Sequence, residues 1–202
     1  MQIRIKEKLI LQLAILAVSA AGTVAHAQST PAPVSQPRAE LALDYSYLRS
    51  NAPVGDCGCF NLNGGSATFA WRLNQGSFAL VGDVGIAHAG AISSNGYSLT
   101  LSTFTAGGRY APRFGHSPLK PFGQILAGIA HSSGSLVDRE NSAASNAGGA
   151  FAANLGGGLD LRASRRISFR LIEADYLITT FDNGVNNHQN NLRLSTGLVL
   201  HF

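Results

Sequence analysis

Asn190-Asn191-Leu192-Arg193-Leu194-Ser195-Thr196-Gly197-Leu198-Val199-Leu200-His201-Phe202 is the stretch from which the rest of the chain can be read. One parity holds Leu192, Leu194, Thr196, Leu198, Leu200 and Phe202; the other holds Arg193, Ser195, Gly197, Val199 and His201. Successive side chains of a strand point to opposite faces, so this segment has an apolar face and a mostly polar one. A strand of a soluble sandwich alternates in the same way. What such a strand does not explain is the aromatic at the end, because free termini are usually frayed and polar. Phe202 suits a lipid–water boundary on the closing strand of a transmembrane barrel.

The composition agrees. Of 202 residues, 13% are charged, 45% are hydrophobic and 23 are glycine, with a mean hydropathy of +0.10. The chain is too polar for a bundle of membrane helices. It is also too poor in charge for an ordinary soluble domain, where about 25% is usual. The length suggests one domain. Residues 1–8 are basic, 9–18 are apolar, and Ala25-His26-Ala27 supplies an Ala-x-Ala cleavage site, so 1–27 reads as a secretory signal peptide. The apolar run is too short for a spanning helix, which needs about twenty residues. Residues 28–38, with Pro31, Pro33 and Pro37, read as a flexible periplasmic lead-in. Without the leader the chain holds twelve bases against ten acids, no electrostatic footprint for nucleic acid.

From residue 39 onward the pattern has period two. It runs through 40–49, 65–73, 77–87, 97–110, 121–132, 148–162, 166–179 and the terminal stretch: eight segments of roughly ten residues, the length of a tilted bilayer crossing. In 166–179 the parity is ambiguous. Either Glu173 and Asp175 or Arg170 and Tyr176 point inward, and a bulge would reconcile them. Short connections fall at 74–76 and 163–165, with a longer basic turn at 111–120. Long polar ones fall at 50–64, 90–95, 133–147 and 182–189. Short turns at one end and long loops at the other are the outer-membrane arrangement. The expected fold is therefore all-β: an eight-stranded antiparallel up-and-down transmembrane β-barrel over 39–202, located in the cell outer membrane.

Two neighbouring stretches, Gly156-Gly157-Gly158-Leu159-Asp160-Leu161-Arg162 and Ile167-Ser168-Phe169-Arg170-Leu171-Ile172-Glu173-Ala174-Asp175-Tyr176, resemble the small outer-membrane barrels related to the membrane domain of OmpA and to OmpX. In those proteins a Gly-rich strand ends in Asp/Arg, a tight turn follows, and the next strand carries Arg, Glu and Tyr. The resemblance covers about 39–202. It implies that Phe202 belongs to the signal read by the barrel-assembly machinery, and it identifies architecture better than activity. No peptidoglycan-binding domain follows the barrel, so a wall tether of that type is not expected.

An eight-stranded barrel is just wide enough for its own side chains to fill it. The inward parities carry Asp44, Arg72, Asp83, Arg109, Asp160, Arg162 and Arg193, with Glu173 and Asp175. Isolated buried charges are costly, so these acids and bases are expected to pair across the lumen as a plug. The alternative is a gate or narrow conductive path. Outward, Tyr45, Tyr47, Trp71, Tyr110, Phe151 and Phe202 are candidates for aromatic girdles.

Cys57 and Cys59 lie in the first long loop. Secretion favours oxidation, although a bond spanning one residue is near the geometric limit. A strained loop disulfide, intermolecular pairing and a two-thiol metal site remain open, the last lacking ligands to fill a tetrahedral site. His131 and Ser133 share the outward parity of the fifth strand, with Glu140 beyond. They resemble the His-x-Ser arrangement of lipid A 3-O-deacylases, in which His is the base and Ser the nucleophile oriented by an acid. Glu140 stands seven residues from Ser133, and the neighbouring residues of that family are missing. The remaining histidines (His26, His88, His116, His188, His201) show no ligand spacing, so no metal site and no cofactor is expected. The sequence reading is a non-enzymatic barrel with a structural or surface-interaction role. Its expected partners are outer-membrane lipid, lipopolysaccharide, the assembly machinery and an extracellular ligand on the loops. A closed sheet has no edge to pair, so a monomer is expected.

Overall fold

The computed structural model describes residues 38–50, 60–73, 76–92, 96–112, 117–135, 149–181 and 187–202. The expected signal peptide, Cys57, Cys59 and Glu140 lie outside them. Eight strands follow one another: β1 (Ala39–Ser50), β2 (Phe60–Arg72), β3 (Phe78–Ile92), β4 (Tyr97–Tyr110), β5 (Leu119–Ser133), β6 (Ala150–Arg162), β7 (Ile167–Thr179) and β8 (Gln189–His201). Each is antiparallel to its sequence neighbours, and β1 pairs with β8 from Glu40↔His201 to Ser50↔Asn191, so the sheet is a closed barrel. Closure satisfies every ladder amide within the ring, which is what hydrocarbon demands of a backbone.

The seam joins the two ends of the described chain. Arg38 N donates to the Phe202 carbonyl at 2.9 Å, and Phe202 N donates to the Ala39 carbonyl at 2.8 Å. This end also carries the β2–β3, β4–β5 and β6–β7 turns, so it is the periplasmic end of an outer-membrane barrel. At the other end one connection is shorter than its sequence suggests. The polar stretch 90–95 reads as a long loop, yet β3 runs on to Ile92 through a register shift after Ala89, and β4 starts at Tyr97. Gly96, at φ 68°, makes that tight return possible.

Side-chain alternation turns the usual protein inside out. Leu43, Tyr45, Trp71, Leu80, Ile86, Phe104, Ile125, Ile129, Phe151, Leu155, Phe169 and Leu198 are all exposed, and Ile125 is 68% exposed. Soluble monomers rarely expose more than a few hundred Å² of contiguous apolar surface. Here it forms a belt supplied by all eight strands, the surface of a protein solvated by lipid. Trp71, Phe202 and the tilted Phe78–Tyr110 pair, 5.0 Å between ring centroids, stand toward the periplasmic end of the belt. Tyr45, Phe151 and Tyr176 stand toward the other.

The ambiguous parity of β7 is resolved by a bulge. Ser168 and Arg170 face inward. Leu171 and Ile172 then both face out, and Glu173, Asp175, Leu177 and Thr179 face in. The ladder to β8 shifts between Arg170 and Glu173, and the ladder to β6 shifts between Leu159 and Asp160. The first alternative holds, with Glu173 and Asp175 in the lumen; of the second, Arg170 joins them through the bulge while Tyr176 lies on the lipid side.

The charged lumen

Arg170 is the hub. Its side chain is wholly buried, Nε donates to Asp160 Oδ1 at 3.0 Å, and Nη1 donates to Asp44 Oδ2 at 3.0 Å and to Glu173 Oε2 at 2.5 Å. These partners come from β6, β1 and β7, so one guanidinium ties three strands. Arg193, on β8, makes the second knot. Nη1 donates to Asp83 Oδ1 at 2.8 Å, and Nε and Nη2 donate to Asp175 Oδ2 at 3.0 and 2.8 Å. Thr68 completes the shell of Asp83 at 2.8 Å.

Arg109 reaches the carboxylates through an amide. Its Nε and Nη2 donate to Gln124 Oε1 at 3.0 and 2.7 Å, and Gln124 Nε2 donates to Glu173 Oε1 at 2.8 Å. The Phe122 ring lies under both Arg109, at 4.2 Å, and Arg170, at 4.8 Å. Such stacking suits a weakly hydrated guanidinium better than an ammonium. Asp44, Asp83, Asp160, Glu173 and Asp175 thus meet Arg109, Arg170 and Arg193 in one network. Inward glycines leave the space. A Cβ on Gly85 would stand 3.4 Å from Arg193 Nη1, one on Gly158 would press on the Phe122 ring, and one on Gly197 would press on Asp44.

Two further tiers bracket the network. At the periplasmic mouth Arg72 pairs with Glu40 at 2.6 Å and is partly exposed. His201 stands beside Glu40 at 3.5 Å and shares a 2.8 Å hydrogen bond with Ser168. Serine, imidazole and carboxylate recur here in the order of a hydrolase triad. Ser168, however, is 2% exposed and Glu40 is held by Arg72, so the arrangement locks the β7–β8–β1 seam and offers no nucleophile. Toward the extracellular end the lumen turns apolar. Leu48, Leu62, Leu99, Leu101, Ala130 and Leu177 are buried together, with Phe60, Tyr97 and Phe181 packed against them. Between the charged and apolar tiers, Ser46, Thr103 and Arg193 line a void of about 20 Å³, the space of a single water.

The residues expected in the lumen separate accordingly. Asp44, Asp83, Arg109, Asp160, Glu173, Asp175 and Arg193 are brought together, and Arg72 sits apart at the mouth. Arg162 does not belong to the set. It has the inward parity of Asp160, but lies at the last residue of β6, is exposed, and its Nε donates to the Ser164 carbonyl at 3.3 Å. Parity fixes a direction, and at a rim that direction points to water. Gln124, Phe122 and Glu40 are the participants absent from the sequence expectation, and Arg170, there only one of two alternatives, is the hub. The signal for Arg170 was a carboxylate pair three and five residues downstream, which only a bulge allows on the same face. His131 and Ser133 are both exposed on the outer face of β5, opposite Ser102 and Thr100 of β4, and no hydrogen bond joins them. No group of three His, Cys, Asp or Glu able to hold a metal occurs among the described residues.

A closed eight-stranded sheet, apolar outside and ion-paired inside, defines a transmembrane β-barrel of the outer-membrane kind. By sequence the chain matches no family model and no curated protein. Solved structures do match its fold. Neisserial surface protein A is 15% identical, over 81% of this chain and 97% of that one, with a TM-score of 0.59. Ail, the attachment invasion locus protein of Yersinia pestis, is 14% identical, over 83% of this chain and 100% of that one, with a TM-score of 0.53. The fold is that of the small eight-stranded outer-membrane barrels.

Proposed function

We propose that the chain is a non-enzymatic, non-conducting outer-membrane barrel that holds its connecting loops at the cell surface for structural or recognition work. The observation that supports this is the filled lumen: charged residues tied by Arg170 and Arg193 occupy the periplasmic half, and a tier of aliphatic side chains occupies the extracellular half. Ions entering from outside would meet this packed tier, in which Asn154, Thr179 and Asn191 are also buried, before reaching any charge. In this reading the belt contacts outer-membrane lipid and lipopolysaccharide, Phe202 is read by the assembly machinery, and the barrel works as a monomer. Ligands are met through the segments 51–59, 93–96, 134–149 and 180–188, because polar connections on a rigid scaffold are where recognition is usually placed. Planar-bilayer recording with the purified full chain tests the central point. The expected trace shows no large steady conductance. A stable pore of porin size would overturn the proposal.

A further inference from the structure

Toward the extracellular end of the belt, β1, β2 and β3 present a recess instead of a wall. The outward parity of β2 carries Asn61, Asn63, Gly65 and Ala67 before bulk returns at Phe69. Gly65 and Ala67 floor an open groove of about 550 Å³, with Leu43 on one side and Val84 and Ile86 on the other. Gly65 lies between Tyr45 and Ile86 in the two ladders, and Ala67 between Leu43 and Val84, so the groove follows β2. Asp44 also borders it, but the Asp44 side chain is 1% exposed and is tied to Arg170 in the lumen. The walls belong to the lipid-facing belt, so whatever fills the groove reaches it through hydrocarbon.

The extracellular end of the groove changes chemistry on the same face. Asn63 is flanked by Tyr47 and His88 in the two ladders, and Arg49 stands opposite Asn61. Arg49 and His88 are exposed. Arg49 Nη1 donates to Asn61 Oδ1 at 3.0 Å, and Tyr45 Oη donates to Asn63 Oδ1 at 2.7 Å. Each carboxamide thus spends its oxygen inside the protein and keeps its NH2 group for another molecule. His88 Nδ1 shares a 2.9 Å hydrogen bond with Thr100 Oγ1, which leaves Nε2 for a ligand. The outward parities of β1, β2 and β3 contain no acid. A guanidinium and several N–H donors directly above an apolar groove complement a phosphorylated, hydroxyl-rich head carried on acyl chains. This end of the barrel lies opposite the periplasmic turns, so the leaflet is the outer one.

We propose that Arg49, Asn61, Asn63 and His88 bind the phosphorylated sugar head of an outer-leaflet glycolipid, and that the groove over Gly65 and Ala67 takes one of its acyl chains. The guanidinium fork matches phosphate oxygens in pairs. Tyr45 stands where head meets chain, with an apolar ring toward the groove and a hydroxyl bound to Asn63. The site rests on the reading that the belt contacts lipopolysaccharide, and narrows that contact to one face of the barrel. It does not rest on the lumen being closed.

The test is native mass spectrometry of the folded full chain in detergent, titrated with diphosphorylated lipid A and, separately, with phosphatidylglycerol. Lipid A is expected to be retained selectively. Arg49→Gln should weaken its binding about fivefold, the usual contribution of one basic residue at an anionic membrane surface. Ala67→Leu puts a side chain into the groove and should weaken it as well. Arg166→Gln, at the periplasmic end, should bind lipid A as the parent does. Folding of each variant is checked by the gel-mobility difference between folded and boiled barrel, and if Ala67→Leu does not fold, Arg49→Gln, at an exposed position, carries the test. Equal retention of the two lipids by the parent barrel, or undiminished lipid A binding in either folded variant, would overturn the proposal. Selective retention of lipid A that ignores both variants would refute this site and leave the general lipopolysaccharide contact standing. A conductance of porin size would refute the closed lumen and leave the site untouched.

Discussion

Replacing Arg170 by Met removes a charge while keeping much of the side-chain volume, and the structure sets the expected cost. The guanidinium is fully buried and holds Asp44, Asp160 and Glu173 within 3.0 Å. Its loss leaves five carboxylates facing the two arginines 109 and 193. Breaking one buried pair by removing a partner typically costs 3–5 kcal/mol, because the remaining charge has neither water nor counter-ion. Arg170→Met should therefore lower the unfolding free energy by at least about 3 kcal/mol, a loss of more than a hundredfold in the folding equilibrium. The mouth pair gives the contrast. Arg72 and Glu40 are partly exposed, so Arg72→Met should cost about 1 kcal/mol or less. Adding Glu173→Gln to Arg170→Met removes one of the stranded charges, and neighbours in one network couple by about 0.5–3 kcal/mol, so the double variant should be more stable than the single. Equilibrium urea unfolding in detergent micelles measures all four proteins, with Trp71, the single tryptophan, as reporter. An Arg170→Met barrel within 1 kcal/mol of the parent, or a double variant no better than the single, would show that the charges are solvated and the hub reading is wrong.

Glycine substitutions should divide by face. An alanine at Gly197 would overlap the Leu43 carbonyl and stand 2.5 Å from Asp44 Oδ1, whereas at Gly82, on the lipid side, it meets nothing within 4 Å. Gly197→Ala should cost about 1–3 kcal/mol in the same urea assay and Gly82→Ala should not destabilise; equal effects would contradict the close packing of the seam. Deleting Leu171 takes out the extra residue of the β7 bulge and leaves Arg170 and Glu173 on one face, so the folded, fast-migrating barrel should persist on gels. Deleting Ala174 instead turns Asp175 and the residues beyond it toward lipid and should abolish folding. A folded Ala174 deletion would mean that the parity of β7 is not what holds its charges inside.

Much of this architecture is written in the chain because a strand has only two faces. Alternation through Leu192–Phe202, through Leu43 and Tyr45 against Asp44, and through Phe104 against Thr105 is enough to separate a lipid side from a lumen side. The length of the segments is enough to say that they cross a bilayer. The same reasoning shows that acids and bases share the interior, since each charge left in hydrocarbon costs several kcal/mol. It cannot say at which height along the barrel axis each residue sits. Height depends on the stagger between strands and on bulges, which are properties of the closed ring. Closure makes Arg170 the partner of Asp44 across 126 positions, strands Arg162 at a watery rim, and gathers Leu48, Leu62, Leu101 and Leu177 into an apolar tier above the charges. Outside the bulged β7, the sequence by itself determined which way the side chains face; the tertiary structure alone decided which inward side chains share a level, because only a closed, sheared sheet sets the offset between one strand and the next.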